Sequence, residues 1–561
     1  MRADGWNRKR DDRRGRRVRR PLRQLTEKQY DLLIIGGGIN GAGIAAEAAR
    51  RALRTLLLER QDFSSGTTSR STKLIHGGLR YLEHGEFGLV FESLREREAL
   101  LRLAPHLVRP LPFLIVLHRN GPYRPLRVRL GLAVYDLLSL GKSLPAHRAL
   151  SLAEVCEREP ALVTEGVSAA FLYFDAQVTY PERLVMENIR AAEARGADVR
   201  NYAEVIGLVI EAGAVCGVRV RDRVSGEEGL VRARMVINAT GPWVDAVCRL
   251  LPRAMPRYIG GTKGSHLIVP NRWGVRHALY AAAQTDGRPF FIVPWRDFLL
   301  IGTTDVRYEG DADLAQADDE EVSYLLTEAR RLLGSDLRRE DLLYAYSGVR
   351  PLPYQPGVPE GAITRRHLIH DHEREDGLAG FVSIIGGKIT PYRHLAEDVV
   401  TFVCRKLGIP HTARSKERFE SLPGGAPLRP RAVQEQARAL GVAPDSARQL
   451  LELYGSLSVE VLALVERERA LGQRLCPYHP DIAAQILYAL EREHAVRLAD
   501  IFLRRTAIGW SRCLGLVCAP AAARLMGTYL GWDELRVQEE IAAYRDELAR
   551  TFRLFMSVPM R

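Results

Sequence analysis

Cysteine is scarce and scattered in this 561-residue chain: seven residues, at 156, 216, 248, 404, 476, 513 and 518, with no Cys-x-x-Cys pair. Such spacing indicates neither a disulfide framework nor a zinc site, and a reducing compartment is the expectation. Long hydrophobic runs are missing too. No stretch is apolar enough to span a bilayer, and no signal peptide is evident because the N-terminus lacks an apolar core. The acidic stretches Asp311-Ala-Asp313 and Asp318-Asp-Glu-Glu321 lack the spacing and glycine of a calcium loop, so metal chemistry is not indicated.

Charge is present in excess, but it is concentrated. Residues 1–29 hold twelve Lys/Arg against four acids, giving +8 of the overall +13, and leave only +5 for the remaining 532 residues. A polyarginine segment attracts anionic lipid or nucleic acid. Here it is read as a basic, disordered arm over 1–29, with nucleic acid not expected as a partner. At this length two or three domains are expected.

The most informative segment begins Tyr30-Asp-Leu-Leu-Ile-Ile-Gly-Gly-Gly-Ile-Asn-Gly-Ala-Gly and closes at Leu57-Leu-Glu59. A buried strand, a glycine turn, a helix of small residues and a strand ending in an acid make a dinucleotide-binding βαβ unit. Gly36 permits the tight turn, Gly38 admits a pyrophosphate, and Gly41 lets the helix pack against the sheet. The helix start offers N–H groups and a positive dipole end to phosphates. Glu59 stands where an acid bonds a ribose hydroxyl, which favours FAD or NAD over NADP.

Farther on, 61–83 reads as a Ser/Thr/Gly-rich loop, 88–103 as a helix, 113–117 as a strand and 126–140 as a helix with basic residues at its start. Residues 199–235 alternate like a β-meander, and Phe290–Trp295 and Phe298–Thr303 read as strands joined by an Arg-Asp turn. Asn238-Ala-Thr-Gly-Pro-Trp243 ends a strand in a glycine turn, a pattern that recurs where a second segment passes a flavin nucleotide. Gly386-Gly-Lys388 opens a third helix, with Thr390 expected to cap it and Pro391 at its first position. After Leu422-Pro-Gly-Gly425 the composition turns helical.

In these segments the chain resembles the FAD-dependent glycerol-3-phosphate dehydrogenases, within the amino-acid-oxidase-like flavoproteins. The likeness runs from about residue 30 to the C-terminus. It is carried by Ile35-Gly-Gly-Gly-Ile-Asn-Gly-Ala-Gly-Ile-Ala45, Lys73-Leu-Ile-His-Gly-Gly-Leu-Arg-Tyr-Leu-Glu83, Ala104-Pro-His-Leu107, Asn238-Ala-Thr-Gly-Pro-Trp243 and Lys263-Gly-Ser-His266. Ile301-Gly-Thr-Thr-Asp305, Tyr346-Ser-Gly-Val-Arg-Pro-Leu352, Ile363-Thr-Arg365, Gly386-Gly-Lys388 and Leu422-Pro-Gly-Gly425 complete it. The arm 1–29 lies outside the likeness, and Pro391 stands where the family usually has Thr.

The resemblance implies an α/β fold: a Rossmann-type FAD-binding domain with an interleaved antiparallel-sheet substrate domain over 30–420, and an all-helical C-terminal domain over 421–561. It implies non-covalent FAD held by Gly36, Gly38, Asn40, Gly41, Glu59, Thr72, Lys73, Thr240, Gly241, Gly386, Gly387 and Lys388. The implied reaction oxidises sn-glycerol 3-phosphate to dihydroxyacetone phosphate, with electrons passed to a membrane quinone; the alternative is an oxidase that makes peroxide from oxygen. Arg80, Tyr81, Arg350, Arg365 and Lys388 are implied for the substrate, because arginine forks match phosphate oxygens. Arg350 and Lys388 are expected at the reacting end, and Arg80, Tyr81 and Arg365 as anchors. His76 and His266 are the candidate bases, since imidazole has an ordinary pKa of about 6.5.

The implied location is cytoplasmic, attached to the inner face of the cell membrane. The segment 124–140, cationic at one end and striped with leucine, suits a shallow contact with anionic lipid. A homodimer is compatible with the sequence.

Overall fold

The computed structural model describes residues 21–410 and 420–555, apart from Ser335 and the side chains of Arg80 and His84. Two sheets organise it. The main path of the first runs Leu368–Asp371, Phe381–Ile385, Glu228–Asn238, Gln29–Ile35, Thr55–Leu58, Asp198–Arg200. Gln29–Ile35 lies at its centre, parallel to both neighbours, with Leu33 opposite Val236 on one side and Leu56 on the other. Every residue of that strand after Gln29 is buried, as a strand covered on both faces requires.

The period of two then sorts its side chains. Leu32 and Ile34 join the core under the helices Ile39–Arg50, Pro181–Ala194 and Tyr392–Leu407. Leu33 and Ile35 join a second core with Val215, Val218 and Val220 of the meander. That meander consists of Ala203–Glu211, Ala214–Asp222 and Glu228–Asn238, paired antiparallel as the alternation over 199–235 predicts.

Part of the expected basic arm is packed. Residues 1–20 lie outside the described residues, but Arg23–Thr26 forms a helical turn that buries Leu22 and Leu25 in the meander core. Two leucines among the arginines outweigh the charge of the segment and dock it, so that Leu22 and Leu25, expected in the arm, belong to a core.

The second sheet crosses the molecule in the order Arg553–Leu554, Tyr344–Arg350, Thr262–Pro270, Phe298–Gly302, Pro289–Trp295, Ala278–Ala282, Val108–His118, Val167–Val178, Leu74–Ile75. Its neighbours along this path are antiparallel except for Ala278–Ala282 beside Val108–His118.

The C-terminal part is mainly helical, but it also carries the hairpin Arg474–Cys476/His479–Ile482, and its last strand, Arg553–Leu554, extends the second sheet. Nor is its core separate. Phe502, Trp510, Tyr544 and Phe552 share one cluster with Trp295, Tyr344 and Tyr346 of the sheet. The Trp510 and Trp295 rings meet edge-on at 5.7 Å.

Asp62, in the loop just past the second strand, ties this part to the first sheet. Arg505 bonds both its carboxylate oxygens at 2.8 Å, Arg504 donates from Nε at 2.6 Å, and Asn201 donates at 2.9 Å. Removing one partner of a fully buried ion cluster strands the other charges. Asp62→Ala is therefore expected to cost on the order of 3–5 kcal/mol in denaturant unfolding. Burial opposes the Asp62 charge, yet Arg505 and Arg504 outweigh it and hold the pKa at about 2. Because the folded pKa lies below the unfolded one, this stabilisation is complete above about pH 4 and fades as pH falls towards 2. Acid unfolding monitored by near-UV dichroism should show that step in the parent chain and lack it in Asp62→Ala.

Candidate active site

Between the two sheets lies a cavity of about 770 Å³. The C-terminal ends of the parallel strands supply one wall through Ile35–Gly36, Ala239–Gly241 and Gly386–Lys388; the second sheet supplies the other through Tyr173, His266, Phe291 and Arg350. Ligands in open α/β sheets bind at that strand end.

The first glycine turn is compressed. Gly36 has φ +109°, and a Cβ there would stand 2.7 Å from the Ala239 carbonyl oxygen. A Cβ on Gly41 would lie 1.8 Å from the Gly36 oxygen. At Gly38 a Cβ would meet only Thr68 Oγ1, at 3.4 Å, so this position is kept bare towards the cavity rather than by packing. Glu59 follows its strand directly. Its Oε2 accepts the Gly37 N–H at 2.7 Å and its Oε1 the Gln61 N–H at 2.8 Å. Burial raises its pKa, and the two backbone donors pull the other way. The carboxylate thus braces the turn as well as facing the cavity.

The opposite glycine pair packs against the same helix start. Gly387 has φ +99°, and a Cβ there would come within 2.5 Å of Asn40 Nδ2. Asn40 Oδ1, Trp243 Nε1, His266 Nδ1 and Lys388 Nζ are buried with no hydrogen-bond partner among the described residues. All four belong to residues that line the cavity. Buried polar atoms are nearly always paired, so orphans gathered around one space mark a polar ligand. A long cavity with a helix start and bare glycines at one end and unpaired donors along it fits a flavin dinucleotide. Gly36, Gly38, Asn40, Glu59, Thr240, Gly241, Gly386 and Gly387 line the cavity and are positioned to hold the dinucleotide, whereas Gly41 does not reach the cavity and serves the packing of the turn.

Two expected cofactor residues, Thr72 and Lys73, border the cavity with their side chains already engaged. Lys73 borders the cavity, but its ammonium turns away, donating to the Ser69 carbonyl at 3.2 Å and standing 4.3 Å from the Trp510 ring and 5.0 Å from Trp295. Glu182, 3.6 Å away, balances its charge. Thr72 Oγ1 is engaged with His266 Nε2 at 2.9 Å. The third helix differs as well. It begins at Tyr392, Pro391 is its N-cap rather than its first turn, and no side chain caps it. Thr390 Oγ1 instead accepts the His76 N–H at 3.1 Å, linking two walls of the site.

Cations converge on the reacting end. Arg350 donates to Asp305 Oδ1 at 3.0 Å and to Thr303 Oγ1 at 2.9 Å, while Arg365 donates to Asp305 Oδ2 at 3.0 Å. Burial raises the Asp305 pKa, but Arg350 and Arg365 together hold it below the usual carboxylate range. One carboxylate therefore aligns two guanidinium groups. Asp305 was not singled out from the sequence, although it closes the segment Ile301-Gly-Thr-Thr-Asp305; a carboxylate is not an obvious member of an anion site. Lys388 Nζ sits 3.6 Å above the Tyr81 ring, and burial lowers its pKa to about 7. Arg80 lies on the short turn Leu79–His84 beside them, with its side chain outside the described residues.

The two histidines differ sharply. His266 is fully enclosed and stacked on Tyr346 at 5.0 Å; burial, then Arg350 and Lys73, push its pKa well below the ordinary value. His76 is half-buried on the cavity wall, its pKa lowered by burial and only partly restored by Asp175. That loop is pinned from below. Asp175 accepts the Gly77 N–H at 3.2 Å, the Tyr135 hydroxyl at 2.8 Å and Arg97 at 2.6 Å.

Comparison with known proteins agrees with this arrangement. Residues 31–390 match the family described as FAD dependent oxidoreductase, and 418–537 match the C-terminal domain of alpha-glycerophosphate oxidase. A glycerol-3-phosphate dehydrogenase of Synechocystis sp. is 41% identical, with 93% of this chain and 97% of that protein covered. Glycerol-3-phosphate dehydrogenase 2 of Mycobacterium tuberculosis is 34% identical over 93% of this chain and 88% of its own. The crystal structure of the glycerol-3-phosphate dehydrogenase from Bacillus halodurans, complexed with FAD, superposes with a TM-score of 0.76 at 30% identity, covering 94% of this chain and 96% of that one. Matches this long take in both sheets and the helical part at once, and the cofactor of the family is the one the cavity fits: the chain belongs to the FAD-dependent glycerol-3-phosphate dehydrogenases.

Proposed function

We propose that this protein oxidises sn-glycerol 3-phosphate to dihydroxyacetone phosphate and delivers the electrons to a membrane quinone. The observation that carries the first half is the cationic wall of Arg350, Arg365 and Lys388 facing a flavin-shaped cavity. FAD, when bound, supplies the two-electron acceptor for the hydride from C2 of the substrate.

The chain's own residues have three tasks. The first is to hold a phosphate dianion. Asp305 fixes the Arg350 and Arg365 forks before substrate arrives, so little orientation remains to be lost on binding. The second is to stabilise the developing alkoxide, for which a preorganised guanidinium such as Arg350 is suited. The third is to take the hydroxyl proton. His76 is the base of choice, because its ring is only half-buried on the cavity wall, whereas His266, which lines the same cavity, is fully enclosed with Nε2 engaged with Thr72 and its ring stacked on Tyr346.

A membrane acceptor is supported by the helix Pro125–Leu138. At 100° per residue Leu126, Leu130, Ala133 and Leu137 share one face, and all four are exposed. Leu140 lies just beyond it, and exposed Phe87 and Phe91 are on a helix that contacts it. Arg124, Arg127 and Arg129 rim the first turn. The opposite face buries Leu132 and Tyr135, so the stripe read from the sequence divides into a packed side and an outward side. No helix among the described residues is long and apolar enough to cross a membrane. Shallow insertion of the outward leucines into an anionic inner leaflet would bring the Tyr135–Asp175–Gly77 link, and with it the His76 loop, close to the quinone pool.

Anaerobic addition of sn-glycerol 3-phosphate should bleach the flavin band of the purified protein, and glycerol should not. Arg350→Ala is expected to lower kcat/KM by roughly 10²–10³-fold. A flavin that ignores the phosphate ester would remove the assignment; peroxide formed in preference to reduced quinone would move the acceptor to oxygen.

Lys388 gives a pH test. Its cationic form attracts the phosphate and predominates below about pH 7, so apparent KM should climb as pH rises above that value. Lys388→Met should raise KM at low pH and flatten the climb in steady-state profiles.

A further inference from the structure

Away from the cavity, on the edge strand Leu368–Asp371 and the short helix His372–Asp376, three side chains converge on one point. His370 and His372 are two residues apart across a strand end. Asp376 lies one helical turn beyond His372, just before Gly377 ends the helix with φ +67°. His370 Nε2 lies 2.8 Å and His372 Nδ1 2.7 Å from the same oxygen, Asp376 Oδ2. The Tyr258 hydroxyl approaches that oxygen too, at 3.2 Å. Three partners on one carboxylate oxygen exceed its two in-plane lone pairs.

We propose that His370, His372 and Asp376 form a binding site for a divalent transition cation of the zinc class, which clips the edge strand to the short helix that follows it. Two imidazoles and a carboxylate are the donor set such ions take, with a fourth position left for water or the Tyr258 hydroxyl. The three ligand atoms lie within 4.8 Å of one another, so an ion bound at about 2.1 Å from each needs only a small opening of the present hydrogen bonds.

The surroundings are those of a ligand site. His372 has no exposed surface, stacks on Phe381 at 4.6 Å, and engages Ser383 Oγ through Nε2 at 2.8 Å. A metal-bound imidazole commonly has such a partner on its second nitrogen, which sets the tautomer and ring angle. His370 and Asp376 keep 18% and 15% of their side-chain surface exposed, which gives an ion its way in. His370 is oriented by the Tyr258 ring 4.6 Å away. The nearby cation Arg253 is committed to the Asp376 backbone carbonyl at 2.7 Å, not to its carboxylate.

The site also leads inward. Ser383 Oγ lies 3.4 Å from Asn238 Nδ2, and Asn238 Oδ1 accepts the hydroxyl of cavity-lining Thr240 at 2.7 Å. The cation is therefore placed to stiffen the strand ends that carry the cofactor turns without touching substrate.

The test uses the flavin-loaded full chain, stripped of metal by chelator, dialysed and titrated calorimetrically with Zn²⁺, with bound zinc counted by elemental analysis after gel filtration. One tight equivalent per chain is expected. Asp376→Asn and His370→Phe should each weaken it by roughly 10–100-fold or more. His370→Phe keeps a ring against Tyr258 but has no ligand nitrogen, and its flavin spectrum and turnover should match the parent, which separates lost binding from lost folding. Co²⁺ in place of zinc should give the ligand-field absorption of an N/O site in the parent only. No tight equivalent in the parent, or equal zinc affinity in the parent and a folded His370→Phe variant, would overturn the site.

Discussion

The carboxylate of Asp62 is the interaction on which the rest of the arrangement hangs. It lies in the loop leaving the dinucleotide-binding unit, three residues past Glu59, and engages two consecutive arginines of the C-terminal part together with Asn201 from beside the last parallel strand. Burying one negative and two positive charges is tolerable only because each is paired: Arg504 also bonds Asp500, and Arg505 reaches the Glu493 carbonyl. A cluster so costly to break leaves little freedom for the C-terminal helices to move against the cofactor loop.

That fixed loop, in turn, defines the cavity. Glu59, Thr68 and Thr72 come from it, and they meet the glycine turn, the first helix start and His266 of the second sheet. The same economy operates at the other end. Asp305 serves Arg350 and Arg365 together, and Asp175 serves Arg97, Tyr135 and Gly77. Each wall of the site is held by a buried acid that orders several donors, so the cationic surface left over points at the ligand space. The unpartnered Lys388 is the complement of this pattern. Among the described residues no acid bonds its ammonium, and burial lowers its pKa.

Tyr135 connects the proposed base to the proposed lipid contact. One face of its helix is anchored to Asp175 under the His76 loop, and the other exposes leucines flanked by arginine. A two-sided helix of this kind needs no long apolar run to meet a lipid surface, because a shallow contact takes only a few side chains.

The sequence by itself determined much of this. Local rules suffice for the glycine turn at 36–41, the small-residue helix behind it, the meander over 203–238 and the turn at 386–388, since each is a short-range pattern of backbone need and alternation. The residue types around the site were equally legible: Arg350, Arg365, Lys388, His76 and His266 all border the cavity. What a side chain does once it arrives was decided by partners hundreds of residues away. Lys73 turns into a tryptophan pair that includes Trp510, His266 is spent on Thr72 and Tyr346, and Thr390 serves His76 rather than its own helix. Leu22 and Leu25 find a core that their basic neighbours conceal, and the C-terminal helices share aromatic packing with a sheet that precedes them in the chain. Asp305 and the His370–His372–Asp376 group acquire meaning only from convergence. Backbone propensity is written locally, whereas burial, charge pairing and ligand geometry belong to contacts that exist only after the chain has folded.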